Sequence, residues 1–223
     1  MATFQEQIND LTSFGTTDPT AISDWLTAGA KEIISVMPAE LLLKCATETS
    51  ANASELADFD TRGIILGVIR SDGTVDQPCR EIPGIAKGRA FDSTDLMFYG
   101  TESDPVFWKW NNKLEVAPKG SVAIHHVSYP TVVYTDSSIS NFADEVEHLV
   151  VLYAAIKAAE YLLASEEDDT LYIPIINVLK ADYVAGLQSM GAQIKGQQQK
   201  KGTDSNRQMQ ALVNQMLEYQ KQQ

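Results

Sequence analysis

Ile64-Ile65-Leu66-Gly67-Val68-Ile69-Arg70, followed by Ser71-Asp72-Gly73-Thr74, is the stretch on which the fold turns. Its β-branched run ends in an Asp-Gly turn, the pattern of a strand entering a hairpin. Upstream and downstream of it the apolar residues recur at helical spacing instead. From about Arg62 to Thr135 the chain keeps to short apolar runs with turn punctuation. Val106-Phe107-Trp108-Lys109-Trp110, Asn111-Asn112-Lys113 and Leu114-Glu115-Val116 predict a second hairpin, and Val122 to Tyr129 a further strand closed by Pro130. Cys79 to Ser93 reads as loop or extended chain. The middle is therefore expected to be an antiparallel module of about four to six strands.

Working outward, the first fifty-odd residues read as helical. Phe4, Ile8 and Leu11 share one face. Asp18 is placed to cap and Pro19 to open a helix carrying Ile22, Trp25, Leu26, Gly29, Ile33 and Val36. Pro38 opens another through Leu41, Leu42 and Cys45, which the polar residues Thr47 to Asn52 end. On the other side, Asn141 is the expected N-cap of a long alanine-rich helix reaching Leu163, with Asp144 and Glu145 favouring its dipole. Tyr172 to Met190 predicts one more, with Ile175, Ile176, Leu179, Tyr183 and Leu187 near one face. The expected fold is α+β and mainly helical, a helical bundle with an inserted antiparallel β-module and a C-terminal tail helix. The segments are 1–61 (bundle), 62–135 (β-module), 136–190 (bundle) and 191–223 (polar linker and docking helix).

Charge narrows the function classes. Seventeen Lys and Arg stand against 30 Asp and Glu, a net charge of −13 in 223 residues. A surface this acidic repels phosphate backbones. The imbalance is uneven, because Gly186 to Gln223 holds five basic and two acidic residues together with eleven glutamines. In that tail Met209, Leu212, Val213, Met216 and Tyr219 form a narrow apolar stripe, the pattern of a helix that needs a partner groove. No apolar run approaches the roughly 20 residues that span a bilayer. The N-terminal MATFQEQINDL has neither the basic stretch nor the apolar core of a signal peptide. Two cysteines make no disulfide framework or zinc site, which suits a reducing cytoplasm.

Catalytic patterns are scarce. His125 and His126 are adjacent on a strand and point to opposite faces. Glu145-x-x-His148 has the spacing of one half of a bundle di-metal site, without a second copy. Cys79 beside Arg80 is the one candidate for an activated thiol, with His125, His126 or His148 as a possible base. Gly63-x-x-x-Gly67 lacks the Lys-Ser/Thr of a phosphate loop, and the acidic run 166–169 lacks the calcium-loop pattern. These features read as ordinary surface and core, and no cofactor or metal is expected.

Residues 129–159 carry a resemblance. Tyr129-Pro130 closes a strand, Ser138-Ile139-Ser140-Asn141-Phe142 follows, and Asp144-Glu145-Val146-Glu147-His148-Leu149-Val150-Val151-Leu152-Tyr153-Ala154-Ala155 opens a helix. This segment resembles virion structural proteins of tailed bacteriophages, in the group of head–tail connector or neck adaptor proteins, with Ala143 where that group usually has proline. The resemblance implies a ring, commonly of twelve copies, between the portal protein and a tail or neck protein. Such a ring extends the DNA channel, lets viral DNA pass without specific binding, and is assembled in the host cytoplasm. It implies no membrane, catalytic residue or cofactor. On this reading Met209, Leu212, Val213, Met216 and Tyr219 dock on the portal. Val106, Phe107, Trp108 and Trp110 form a contact with a neighbour or the tail, although one face of that strand must be core. The rival readings are another neck or tail-completion ring such as a tail terminator, a scaffolding factor absent from the particle, and an enzyme built on Cys79.

Overall fold

In a computed structural model the chain is α+β and mainly helical, as expected, and the structure describes residues 2–13, 18–51, 63–110, 113–165 and 171–191. It divides into two compact units. One comprises Met1–Glu40, Tyr134–Ser137 and the chain from Asp144; the other comprises Leu41–Val133 and Ser138–Ala143.

The first unit is helical. Helix α1 (Phe4–Thr12) begins with a Thr3–Glu6 capping box: the Thr3 amide donates to Glu6 at 2.8 Å, and the Glu6 amide donates to the Thr3 hydroxyl at 3.3 Å. Two more of its first-turn amides, on Phe4 and Gln5, donate to the carbonyls of Asp136 and Tyr134, so donors with no helical partner are satisfied by the short 134–137 segment. Its buried face is Phe4, Ile8 and Thr12; the Thr12 hydroxyl donates to the Ile8 carbonyl, and Leu11 points outward instead. Helix α2 (Pro19–Val36) starts as expected, with Asp18 accepting from the amides of Thr20 and Ala21 and Pro19 in the first turn. It buries Ile22, Leu26, Gly29, Ala30, Ile33 and Ile34, while Val36 is exposed. The short α3 (Ala39–Leu42) carries the chain out of this unit and into a 3₁₀ turn, Leu43–Cys45, of the second.

Helix α4 (Asp144–Ser165) is the axis of this unit. Ala154, Ala155, Ala158 and Ala159 have no exposed surface, and these small side chains let α1 and α2 pack against it. Gly29 of α2 is required there, because a β-carbon would sit 2.9 Å from the Tyr153 ring. Helix α5 (172–191) returns antiparallel to α4. Tyr172 and Ile176 pack with Ala159 near one end, and Gly186 lies against Leu149 near the other. Tyr183 ties α5 to α2 by donating to Glu32 at 3.1 Å, and burial, followed by the Glu32 charge, pushes its phenol well above the usual range. Lys157 and Lys180 both reach Glu160, whose carboxyl is held below its ordinary value chiefly by the Lys180 hydrogen bond. The expected N-cap, Asn141, is instead a left-handed turn residue with φ 53°, and the helix starts at Asp144.

The second unit is two sheets face to face. The first has the order β1 (Thr47–Ala51), β7 (Ser121–Val127), β2 (Ile64–Ser71), β3 (Asp76–Pro78), antiparallel throughout. The second has β4 (Arg80–Glu81), β5 (Val106–Trp110) and β6 (Lys113–Ala117); β5–β6 is the expected hairpin, and β4 runs parallel to β5. Six of these strands, β2 to β7, lie within the 62–135 stretch, as the expected four to six allow, and β1 joins them from outside it. The chain passes from one sheet to the other at Cys79, whose amide donates to Val68 at 2.7 Å while the Arg80 amide donates to Pro105 at 2.8 Å. Val68, Val122 and Ile124 meet Phe107, Leu114 and Val116 between the sheets. The other face of the second sheet packs Val106, Trp108 and Ala117 against Ile82 and Ala90, the last from a 3₁₀ segment, Gly84–Phe91.

Two expectations are corrected here. The β unit begins at Leu41, not at residue 62, because Thr47–Ala51 pairs along β7 as an edge strand. The Cys79–Ser93 stretch, expected as loop or extended chain, is extended at β4 but then forms a 3₁₀ segment over Gly84–Phe91.

The β2–β3 turn is closed by Asp72, whose carboxylate accepts from the Thr74 hydroxyl at 2.7 Å and from the amides of Thr74 and Val75 at 2.9 Å. The Thr74 hydroxyl bond, helped by those amides and the Arg70 charge, lowers its pKa from 3.8 to about 2. A depressed carboxyl stabilises the turn fully above its ordinary value and loses that contribution as pH falls through the folded value. Carbon-detected NMR should place the Asp72 midpoint near 2, with faster amide exchange at Thr74 and Val75 below it. A midpoint at 3.8 would contradict the geometry.

Candidate functional site

Among the described residues no group of three or more His, Cys, Asp or Glu is placed to hold a metal ion. Glu145 and His148 are both exposed on α4. His125 faces outward from the first sheet while His126 turns the other way, with Thr49 Oγ1 2.9 Å from its Nε2 and Ser128 Oγ 3.2 Å from its Nδ1. Burial pushes the His126 imidazole below its ordinary value. Cys45 is buried. Arg80 does not activate Cys79; its guanidinium donates to the Met97 carbonyl at 2.8 Å and to Asp104 at 3.1 Å. Burial pushes the Cys79 thiol up to about 11, so at neutral pH it is protonated, the opposite of the activation expected from its neighbour.

The contact strand is also revised. Val106, Phe107 and Trp108 are buried, Trp108 at 1 % exposure, and belong to the core. Strand β5 has a sheet on one face and the Gly84–Phe91 segment on the other, so no free face remains until its exposed end at Lys109 and Trp110, the latter 50 % exposed. The portal stripe, Met209, Leu212, Val213, Met216 and Tyr219, lies outside the described residues.

Three surfaces stand out. The first is the outer face of the four-stranded sheet, a concavity of about 570 Å³ lined by Glu48, Ser50, Ile69, Ser71, Asp76, Ser121, Ala123 and His125. Small side chains along β7 and β2 create it, and nothing in the periodicity announces it. The strand end beneath it is fixed by buried Arg70, which donates to the carbonyls of Pro118 and Lys119 at 3.0 and 3.1 Å.

The second is the loop 92–99. Asp92 accepts from Thr94, and Asp95 accepts from the amides of Met97 and Phe98. Arg89 pairs with Asp95 and lies over the Phe98 ring at 4.4 Å, and Arg80 holds the Met97 carbonyl. The loop is therefore tied at every turn, yet its tip is apolar and in water. Leu96 is 99 % exposed and Met97 67 %; Ile85, in the 3₁₀ segment, is 89 % exposed. Lys87 covers the Trp110 ring at 5.4 Å.

The third is the outward face of α5. Tyr172, Ile176, Leu179, Tyr183 and Met190 are buried; on the exposed side Ile173 and Val184 lie on one flank and Val178 on the other, with Asn177, Gln188, Ala181 and Ala185 between them. No described helix is long and apolar enough to cross a membrane.

No family model matches this sequence, and no curated protein matches it either.

Proposed function

We propose that this chain is a virion structural protein of a tailed bacteriophage. In this reading it is the subunit of an adaptor ring between portal and tail that extends the DNA channel and offers the tail its docking surface. The observation that carries the reading is the 129–159 segment, from Tyr129-Pro130 through the Glu145–Ala155 helix run, which resembles the connector and neck adaptor group. Two physical features support it. The net charge of −13 suits a conduit through which DNA slides without sticking. The ordered but uncovered apolar surfaces suit a protein that works by contact rather than by chemistry. The polar C-terminal tail with its stripe at Met209, Leu212, Val213 and Met216 is assigned to the portal, as a helix laid in a groove.

Gold-antibody labelling of purified particles, viewed by electron microscopy, tests this. Label at the single vertex where head meets tail is the expected result. Label along the tail or over the capsid, or none on particles from cells rich in the protein, overturns the adaptor reading.

A further inference from the structure

We propose that the concavity on the outer face of the four-stranded sheet binds a linear aliphatic polyamine. The ligand lies diagonally across the strands, with its end ammonium groups on Glu48 and Asp76. Such a site goes beyond the adaptor reading and needs neither ring nor tail.

Strand register gives the site its shape. Side chains two residues apart on a strand share a face, so the outward positions fall in rows. In the first row Glu48 lies opposite His125, and His125 opposite Gly67. In the second, Ser50 lies opposite Ala123, and Ala123 opposite Ile69. In the third, Ser121 lies opposite Ser71, and Ser71 opposite Asp76. The two carboxylates therefore occupy opposite corners of the face. The steps across the sheet and along the strands put their backbones about 20 Å apart. Between them the floor is low. Ala123 has a single side-chain carbon, and at Gly67 even an added β-carbon would meet nothing within 4 Å.

The lining selects the ligand. The volume is about 570 Å³, and no Lys or Arg is among the described lining residues. The Glu48 carboxylate accepts from the Ser50 hydroxyl at 3.5 Å, and among the described residues no cation pairs with it or with Asp76. Two negative charges held this far apart match an elongated cation rather than a compact one. An extended spermine spans about 16 Å between its end nitrogens, from ordinary bond lengths. A charge-assisted hydrogen bond of about 2.8 Å at each end carries it to both corners. Its methylene stretches then cross Ala123 and Ile69, and its inner ammonium groups meet the hydroxyls of Ser50, Ser71 and Ser121. A diamine such as putrescine reaches only one carboxylate.

Calorimetric titration of the full chain with spermine, and separately with putrescine, tests this. A chain of net charge −13 attracts any polyamine diffusely, so the variants separate site from field. Glu48→Gln and Asp76→Asn each remove one end. Glu102→Gln removes the same charge from another exposed position of the same unit. Ala123→Leu fills the floor without changing charge. All four positions face solvent at least in part, so the variants should keep the wild-type melting temperature. The expected result is saturable binding of one spermine per chain, with putrescine weaker. Glu48→Gln and Asp76→Asn should each weaken spermine about tenfold, the loss of one charge-assisted hydrogen bond. Ala123→Leu should weaken it too, and Glu102→Gln should leave it unchanged. No saturable binding, equal affinity for the two amines, or a loss in Glu102→Gln matching that of the site variants would each overturn the proposal. So would an Ala123→Leu chain that binds like wild type.

Discussion

Trp108→Ala is expected to lower the stability of the β unit by about 3–5 kcal/mol, the range for removing a large aromatic from a core. The ring is enclosed by Ile82, Ala90, Val106 and Ala117, and Phe91 meets it edge-on with centroids 5.9 Å apart. Alanine would leave a cavity bounded by β5 and the Gly84–Phe91 segment, neither of which can close it without leaving its own partners. The indole N–H finds no acceptor among the described residues, so no hydrogen bond is lost with it. Trp108→Phe should therefore cost only about 1–2 kcal/mol, mostly for lost volume. Urea unfolding of the two variants checks this, and equal losses would mean that burial of this ring is not what holds the segment.

Gly100→Ala should be nearly as severe, at about 2–4 kcal/mol. A β-carbon there would lie 2.4 Å from the Ala117 carbonyl oxygen, 2.9 Å from its carbon and 2.9 Å from a Val106 methyl. Two of those three atoms are backbone in strand β6 and cannot swing aside. The Gly100 amide also donates to Ala90 at 3.1 Å, so a forced shift breaks the return of the 92–99 loop onto the 3₁₀ segment. Gly88→Ala is the internal control. Nothing lies within 4 Å of its added β-carbon, and its effect should stay within about 0.5 kcal/mol. Thermal melts of both variants are the measurement, and a neutral Gly100→Ala would mean that the loop has other ways to close.

Elements with local chemistry of their own were legible in the sequence. Asp18-Pro19 starts α2, Asp72-Gly73 turns β2 into β3, and the Asn111–Asn112 break joins β5 to β6. What tertiary packing decides was not. Strand β1 reads Thr-Glu-Thr-Ser-Ala, with no apolar alternation, and is a strand because β7 has an edge to fill. The Gly84–Phe91 segment has little regular pattern, and holds its shape by burying Ala86 and Ala90. Thr12 replaces Leu11 on the buried face of α1 because its hydroxyl is satisfied by the Ile8 carbonyl. The candidate surfaces followed the same rule. Val106–Trp108 signalled an apolar strand but could not show that the switch at Cys79 would lay the chain over both its faces. Leu96-Met97, inside the turn capped by Asp95, has no periodicity to mark it.

The position of α4 has a further consequence for the life of the chain on the ribosome. Helices α1 and α2 emerge first, yet the helix they pack against is added only after the whole β unit. Until then Phe4, Ile8, Ile22, Leu26 and Ile33 have no α4 to cover them, and α1 also awaits the Tyr134 and Asp136 carbonyls. The β unit takes its remaining piece, Ser138–Ala143, from the residues just ahead of α4, so it is nearly complete while the first helices still wait. A chain cut short before residue 144 is thus a sheet module trailing two sticky helices. Contacts between distant parts of a chain form slowly and leave apolar surface open to aggregation meanwhile. Premature termination in this gene should therefore yield aggregates rather than a smaller working protein.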